Sequence, residues 1–270
     1  MPSGGLRIEI WNNPVPVPQP KTVPTFPARA SRAWQALLAS ARLRFFATLA
    51  AAICLSAMPV LSWPFSLFAG VLHEAGHGLM ALATGGEVLG LRLSLVAHPD
   101  RLLWARIDVL GFYQGGHAVA ATFAGFAGAA LGGAMLYHAT LASRTGRLSG
   151  ALLLGGICLL GALGARDPAA LAAIAGCACL PLLTLLPCRG RGGLALRVAL
   201  RIFALHALQT AFRSPSSLWA MRRSGDGALL SFLTHRPEAI WVVLWAAIAL
   251  LLLRQLLILA EGETPASYGK

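Results

Sequence analysis

The sequence predicts an all-α polytopic membrane protein with about six to seven transmembrane helices and a short membrane-associated β-hairpin. Hydrophobic residues make up 57% of the 270 positions and charged residues only 12%, a balance that a single soluble core cannot absorb. Apolar stretches long enough to cross about 30 Å of hydrocarbon, roughly 17 to 25 residues, recur along most of the chain. The bilayer is therefore the expected solvent for most of the chain.

About seven segments are predicted to be embedded in the membrane. They are residues 45–62, 64–84, 115–141, 148–164, 169–187, 193–213 and 239–260. Pro64, Pro168 and either Gly192 or Gly193 mark three of the starts. Together the segments predict a single transmembrane domain over residues 45–260.

Two polar tails flank this domain. Residues 1–44 are basic and rich in proline, so they are expected to be disordered, and residues 261–270 form a short polar tail. The first apolar run starts at Phe45, too far from Met1 for a cleaved signal peptide, so we expect this span in the mature protein. Basic residues are concentrated in the first tail and in the 213–238 loop, which predicts a cytoplasmic N-terminus.

The charge balance also fits a membrane setting. The formal net charge is +12, from 22 Lys and Arg against 10 Asp and Glu. Arginines between apolar spans report orientation and contact with the anionic headgroups of the lipid bilayer, so we do not expect nucleic-acid binding. The five cysteines lie in or beside apolar segments without a CxxC pair and are interpreted as small buried hydrophobic residues.

The stretch 85–114 differs from its neighbours. Gly85-Gly86 ends the preceding apolar helix, and the loose alternation that follows predicts a hairpin turning near His98-Pro99-Asp100. At membrane depth its backbone groups must be paired inside the protein, and its extended edge is suited to binding an extended peptide. Beyond it, the glycines of segment 123–136 predict close helix packing in lipid.

The motif His-Glu-Ala-Gly-His begins at His73, inside the second apolar segment. On a helix His73 and His77 project from one face at a separation that a single Zn²⁺ ion can bridge. Zinc lowers the pKa of water toward about 7, and Glu74 is placed to accept the proton during attack on a peptide carbonyl. Because a charged side chain near the bilayer centre costs about 2.5–3.5 kcal/mol on the insertion scale, these residues are expected to be functional.

Catalytic zinc normally takes three protein ligands, so another residue must complete the site. Asp226, in Ser-Gly-Asp-Gly before an apolar run, follows an even number of crossings after the histidine helix and so lies on the same membrane side. His206 and Asp108 are the alternatives to test next.

These motifs resemble the site-2 protease class of intramembrane zinc metalloproteases, most closely its compact M50B-like branch. The resemblance rests on HEAGHGLMALATGGEV, on the glycine-rich FAGFAGAALGGAM and on GDGALLSFL before the last span, and it covers roughly residues 64–260. It implies that His73, His77 and Asp226 bind Zn²⁺ and that Glu74 is the catalytic base. The implied substrate is a membrane protein with a transmembrane segment.

Three functions follow as hypotheses. The leading one is an intramembrane zinc endopeptidase that cuts transmembrane or membrane-proximal segments. The second is a catalytically silent homologue that serves as an assembly or scaffolding subunit, with partner subunits in a membrane complex. A small transporter has only the intramembrane charges in its favour, and the sequence has no visible inverted repeat.

Overall fold

The computed structural model of the chain describes residues 40–96, 106–114, 116–141, 144–163, 168–186, 190–213 and 225–262. These residues fall within one compact unit, Leu38–Lys270. Most of the two predicted tails, 1–44 and 261–270, lies outside the described residues, as does the predicted turn at His98-Pro99-Asp100.

The described residues form eight helices and two strands. They are α1 (Ala41–Ser56), α2 (Pro59–Ala83), β1 (Glu87–Val96), β2 (Arg106–Gln114), α3 (Ala118–Leu141), α4 (Arg144–Leu163), α5 (Pro168–Leu183), α6 (Gly190–Arg213), α7 (Asp226–Thr234) and α8 (Glu238–Glu261). The predominantly helical fold agrees with the class predicted from the sequence.

Three of the described helices are long and apolar enough to cross a bilayer: α3, the Gly193–Phe212 part of α6, and α8. The bent pair of Ala41–Ser56 and Leu61–Ala83 adds a fourth if the pair is one broken span. Helix α5 has only 16 residues, which is about 24 Å of rise and less than the hydrocarbon thickness. The predicted number of six to seven spans therefore remains a prediction.

The boundary between the first two embedded segments differs from the prediction. Helix α1 ends at Ser56 instead of residue 62, and α2 begins at Pro59, so the prediction that Pro64 starts the second segment is wrong. Proline suits the first helical position because its missing N–H has no intrahelical partner there. Pro64 lies inside α2, where the lost hydrogen bond is tolerated in a membrane helix packed among neighbours.

Glycines bring the backbones of α2 and α3 into direct contact. A methyl group added at Gly76 would lie 2.3 Å from the carbonyl oxygen of Ala124, and one added at Gly128 would lie 2.7 Å from the Cα of Gly76. The close packing predicted for segment 123–136 is confirmed at this contact. A different side of α3 packs closely on α6, where a methyl at Gly133 would lie 2.4 Å from the carbonyl oxygen of Ala204.

The two strands form an antiparallel sheet beside α2. Their register runs from Glu87 opposite Gln114 to Val96 opposite Arg106, with an irregularity between Val88 and Gly90. Thr84 connects the two ends of the segment that contains this sheet. Its hydroxyl oxygen accepts a hydrogen bond of 2.9 Å from the backbone N–H of His117, just before α3. Association of the sheet with the membrane remains a prediction.

We expect Gly128→Ala to lower the free energy of unfolding by about 1–3 kcal/mol, because the added methyl must push α2 away from α3. Gly176→Ala on α5 is the matched control, since nothing lies within 4 Å of its added methyl. Its effect should be neutral, or stabilising by up to about 1 kcal/mol through helix propensity. Equilibrium unfolding of both variants in detergent micelles measures the difference, and equal stabilities would contradict the packing argument.

Candidate metal centre

Helix α2 carries the two histidines of the motif one turn apart. His77 is buried, and His73 and Glu74 are half-buried. The Nε2 atoms of the two imidazoles are 3.1 Å apart, so both rings point toward the same place. The helix ends at Ala83, six residues after His77, and two residues later Gly85 adopts a positive φ of 82° that glycine accepts without strain.

Asp226 reaches the histidine pair from the other end of the sequence. It is the first residue of α7, and Gly225 before it has a φ of 116°, a conformation that L side chains rarely adopt. Its Oδ2 atom lies 3.0 Å from Nε2 of His73 and 3.3 Å from Nε2 of His77. The structure thus brings together the three residues that the sequence analysis proposed as metal ligands.

The spacing of these three atoms fits a small divalent cation. A tetrahedral zinc site with ligand distances of about 2.0–2.1 Å has ligand atoms about 3.3–3.4 Å from one another, close to the observed 3.0, 3.1 and 3.3 Å. These three residues would therefore hold one small divalent cation between them. Within the described residues, His73, His77 and Asp226 form the one group of this kind.

One polar contact and one buried oxygen indicate that ligand atoms face one another here. The Nδ1 atom of His77 lies 2.7 Å from the carbonyl oxygen of Ala121. Because a carbonyl only accepts, Nδ1 carries a hydrogen, and in the neutral imidazole Nε2 is then left as a ligand atom. Oδ2 of Asp226 is buried and has no hydrogen-bond partner of suitable geometry among the described residues. A buried oxygen without such a partner is costly, and a cation between the three atoms would satisfy it.

Helix α3 forms the wall of the site opposite α2. Gly125 lies against both imidazoles, since an added methyl would be 2.4 Å from Nε2 of His77 and 2.8 Å from Cε1 of His73. Phe126, the next residue, packs edge to face on His73 with ring centroids 4.6 Å apart. This wall packs directly against both imidazole rings and limits the positions that they can take.

Of the two alternative third ligands, His206 does not join this group in the structure. His206 is fully buried on α6 and lies 3.1 Å from the hydroxyl of Ser56 and 3.4 Å from that of Ser66. The backbone of Asp108 lies in β2 opposite Ser94, and its side chain is outside the described part of the structure.

Some residues that shape the site were not identified from the sequence. Gly125 and Phe126 were interpreted only as parts of a helix-packing segment, and Glu238 was not singled out. A methyl at Gly227 would lie 2.6 Å from Oε1 of Glu238 and would displace this side chain, whereas the chain bends at Gly225. The glycines on either side of Asp226 indicated a special backbone at this position. They did not predict that Glu238 would pack against Gly227.

We expect Gly125→Ala to weaken zinc binding by more than about tenfold, because its methyl would displace both imidazoles from the ligand positions. Gly132→Ala is the matched control two turns along α3: its methyl would meet only the flexible end of Leu72, at 2.9 Å. Zinc titration of the metal-stripped proteins against a chromophoric chelator compares the two. Similar affinities for both variants would contradict this account of the wall.

The chain was compared with known proteins. A family model described as Peptidase M50B-like matches residues 46–255, which is 210 of the 270 positions. No curated protein and no solved structure matches the chain. The match covers the apolar helices, the histidine motif and Asp226, and it agrees with an integral membrane protein. The chain therefore belongs to the Peptidase M50B-like family of site-2 protease-type metallopeptidases.

Proposed function

We propose that this protein is an intramembrane zinc metalloendopeptidase that hydrolyses transmembrane or membrane-proximal peptide bonds of other membrane proteins. In this proposal His73, His77 and Asp226 bind the metal, and Glu74 is the catalytic base. The observation that carries the proposal is the convergence of two imidazole nitrogens and a carboxylate oxygen within 3.3 Å of one another. Membership of a peptidase family makes hydrolysis the expected chemistry for such a centre.

A bound zinc ion would supply a Lewis acid that polarises the scissile carbonyl and lowers the pKa of water toward about 7. The protein's own groups orient the ligands and transfer the proton. Ala121 fixes the tautomer of His77 by accepting its Nδ1 hydrogen. The carboxylate of Asp226 would balance part of the charge of a bound cation in a partly buried site.

Glu74 is suited to move the proton. It projects about 100° around α2 from His73 and about 60° from His77, so it flanks the ligand pair instead of sharing its direction. Its half-buried position keeps the carboxylate accessible to a water molecule but away from bulk solvent. We assign Glu74 to accept a proton from the attacking water and to deliver it to the leaving amine nitrogen.

The proposed setting is a multi-pass membrane domain over residues 45–260 with six to seven embedded helices and a cytoplasmic N-terminus. Helix α3 runs antiparallel to α2, since Gly128 meets Gly76 and Gly132 meets Leu72. Helix α6 returns antiparallel to α3, since Gly133 meets Ala204 and Thr140 meets Arg201. Alternating directions support repeated crossings, and the basic residues flanking the first span support the orientation. The substrate is then a membrane protein with a transmembrane segment.

The first test is metal content. We expect purified protein to hold about one zinc ion per chain and to lose it in His73→Ala. Asp226→Ala should weaken zinc binding more than about 100-fold, whereas Asp108→Ala and His206→Ala should bind zinc as the unmodified protein does. Metal analysis and zinc titration measure these effects. Metal-free native protein that does not take up added zinc would instead favour the silent scaffolding subunit.

The second test separates catalysis from metal binding. Glu74→Gln should abolish peptide cleavage while zinc content and the unfolding temperature stay nearly unchanged, because the amide keeps the shape of the side chain but cannot accept a proton. Cleavage is followed in liposomes that also contain a single-span membrane protein tagged at both ends. Activity retained by the variant would mean that another group is the base.

A further inference from the structure

Helix α8 contributes no ligand to the candidate metal centre. One of its faces nevertheless contacts both the helix that carries Asp226 and the α3 wall beside His73. Glu238 and Trp245 are seven residues apart in α8, which is about two helical turns, so they project from the same side. Trp245 is fully buried and Glu238 is half-buried. Glu238 contacts the helix that carries Asp226, and Trp245 contacts the α3 wall behind His73.

Glu238 covers the beginning of α7. Its Oε1 and Cγ atoms would lie 2.6 and 2.8 Å from a methyl group at Gly227, so the side chain rests directly on this glycine. Gly225 at the N-cap gives α7 no capping side chain, and the free N–H groups of a first helical turn favour a nearby carboxylate. Glu238 is therefore placed to fix the turn from which Asp226 projects.

Trp245 supports the α3 wall on the histidine side of the candidate metal centre. Its indole N–H donates to the carbonyl oxygen of Phe123 at 3.0 Å, which ties α8 to α3. Its ring lies 4.7 Å from that of Phe126, and Phe126 in turn packs against His73 with centroids 4.6 Å apart. A fully buried tryptophan thus stands behind the ring that contacts the first histidine ligand.

We propose that Glu238 and Trp245 are positioning residues through which α8 sets the distance between Asp226 and the histidine pair. The inference rests on the proposed function, because it assumes that these residues bind a metal. Asp226 belongs to a helix of nine residues that lies far from α2 in sequence, so the ligand needs an external support to be preorganised. Supporting residues of this kind typically contribute 10–100-fold to metal affinity.

The test uses the purified full-length chain, stripped of metal and titrated with Zn²⁺ against a chromophoric chelator. We expect Glu238→Gln and Trp245→Phe each to weaken zinc binding about tenfold or more. Glu261→Gln, at the far end of α8 where Glu261 pairs with Arg42, is the control for the first change. Trp241→Phe is the control for the second, because the indole nitrogen of Trp241 has no hydrogen-bond partner among the described residues. Both controls should change the affinity less than about twofold.

A second readout distinguishes positioning from general support of the fold. In the two variants the visible spectrum of bound Co²⁺, which reports coordination geometry, should change while the unfolding temperature of the metal-free protein is retained. Gly227→Ala should reproduce the effect of Glu238→Gln, because its methyl displaces the Glu238 side chain.

Three results would overturn the inference. Zinc affinities of Glu238→Gln and Trp245→Phe equal to that of the unmodified chain, with zinc lost in His73→Ala, would refute positioning by α8 and leave the proposed function intact. Affinity losses matched by an equal fall in metal-free stability would assign both residues to the fold. An unmodified chain that binds neither Zn²⁺ nor Co²⁺ would refute the proposed function and this inference together.

Discussion

The backbone contact between α2 and α3 is the constraint on which the site depends. Gly76 and Gly128 let the two helices approach until a methyl group on either would overlap main-chain atoms. At that distance the carbonyl of Ala121 reaches Nδ1 of His77, and only a glycine fits at position 125 beside the imidazoles. In lipid, burying apolar side chains between helices gains little free energy, because the lipid tails are equally apolar. Close van der Waals packing is therefore a main source of helix association. The same glycines therefore serve the fold and the ligand geometry.

The candidate metal centre brings together polar atoms whose close approach a bound cation would stabilise. Two imidazole nitrogens and a carboxylate oxygen converge at separations of 3.0–3.3 Å, and among the described residues the buried oxygen has no hydrogen-bond partner of suitable geometry. Desolvating such groups costs several kcal/mol unless they are paired. Without a cation, the fold must hold the two imidazoles and the carboxylate together through the packing around them. Helices α3 and α8 provide part of this packing through aromatic and glycine contacts.

His206 shows how the same residue type takes a structural role a short distance away. It is fully buried, yet its two ring nitrogens lie near the hydroxyls of Ser56 and Ser66, and Gln209 is 3.2 Å from one of them. These side chains connect α1 and α2 with α6 by polar contacts inside an apolar bundle. An imidazole with neutral hydrogen-bonding partners is satisfied by the protein itself, whereas His73 and His77 face a carboxylate and each other.

The sequence alone determined the helical membrane class, because composition and apolar run length are local properties of the chain. It also determined the pairing of His73 with His77, since a spacing of four residues fixes one helix face. It nominated Asp226 from its glycine context and the parity of the crossings, but the approach of its carboxylate to the imidazoles depended on tertiary structure. The start of α2 at Pro59 and the packing role of Gly227 could not be predicted either. Each depends on contacts between segments distant in sequence, and only the three-dimensional fold decides which side chain occupies the space beside a glycine.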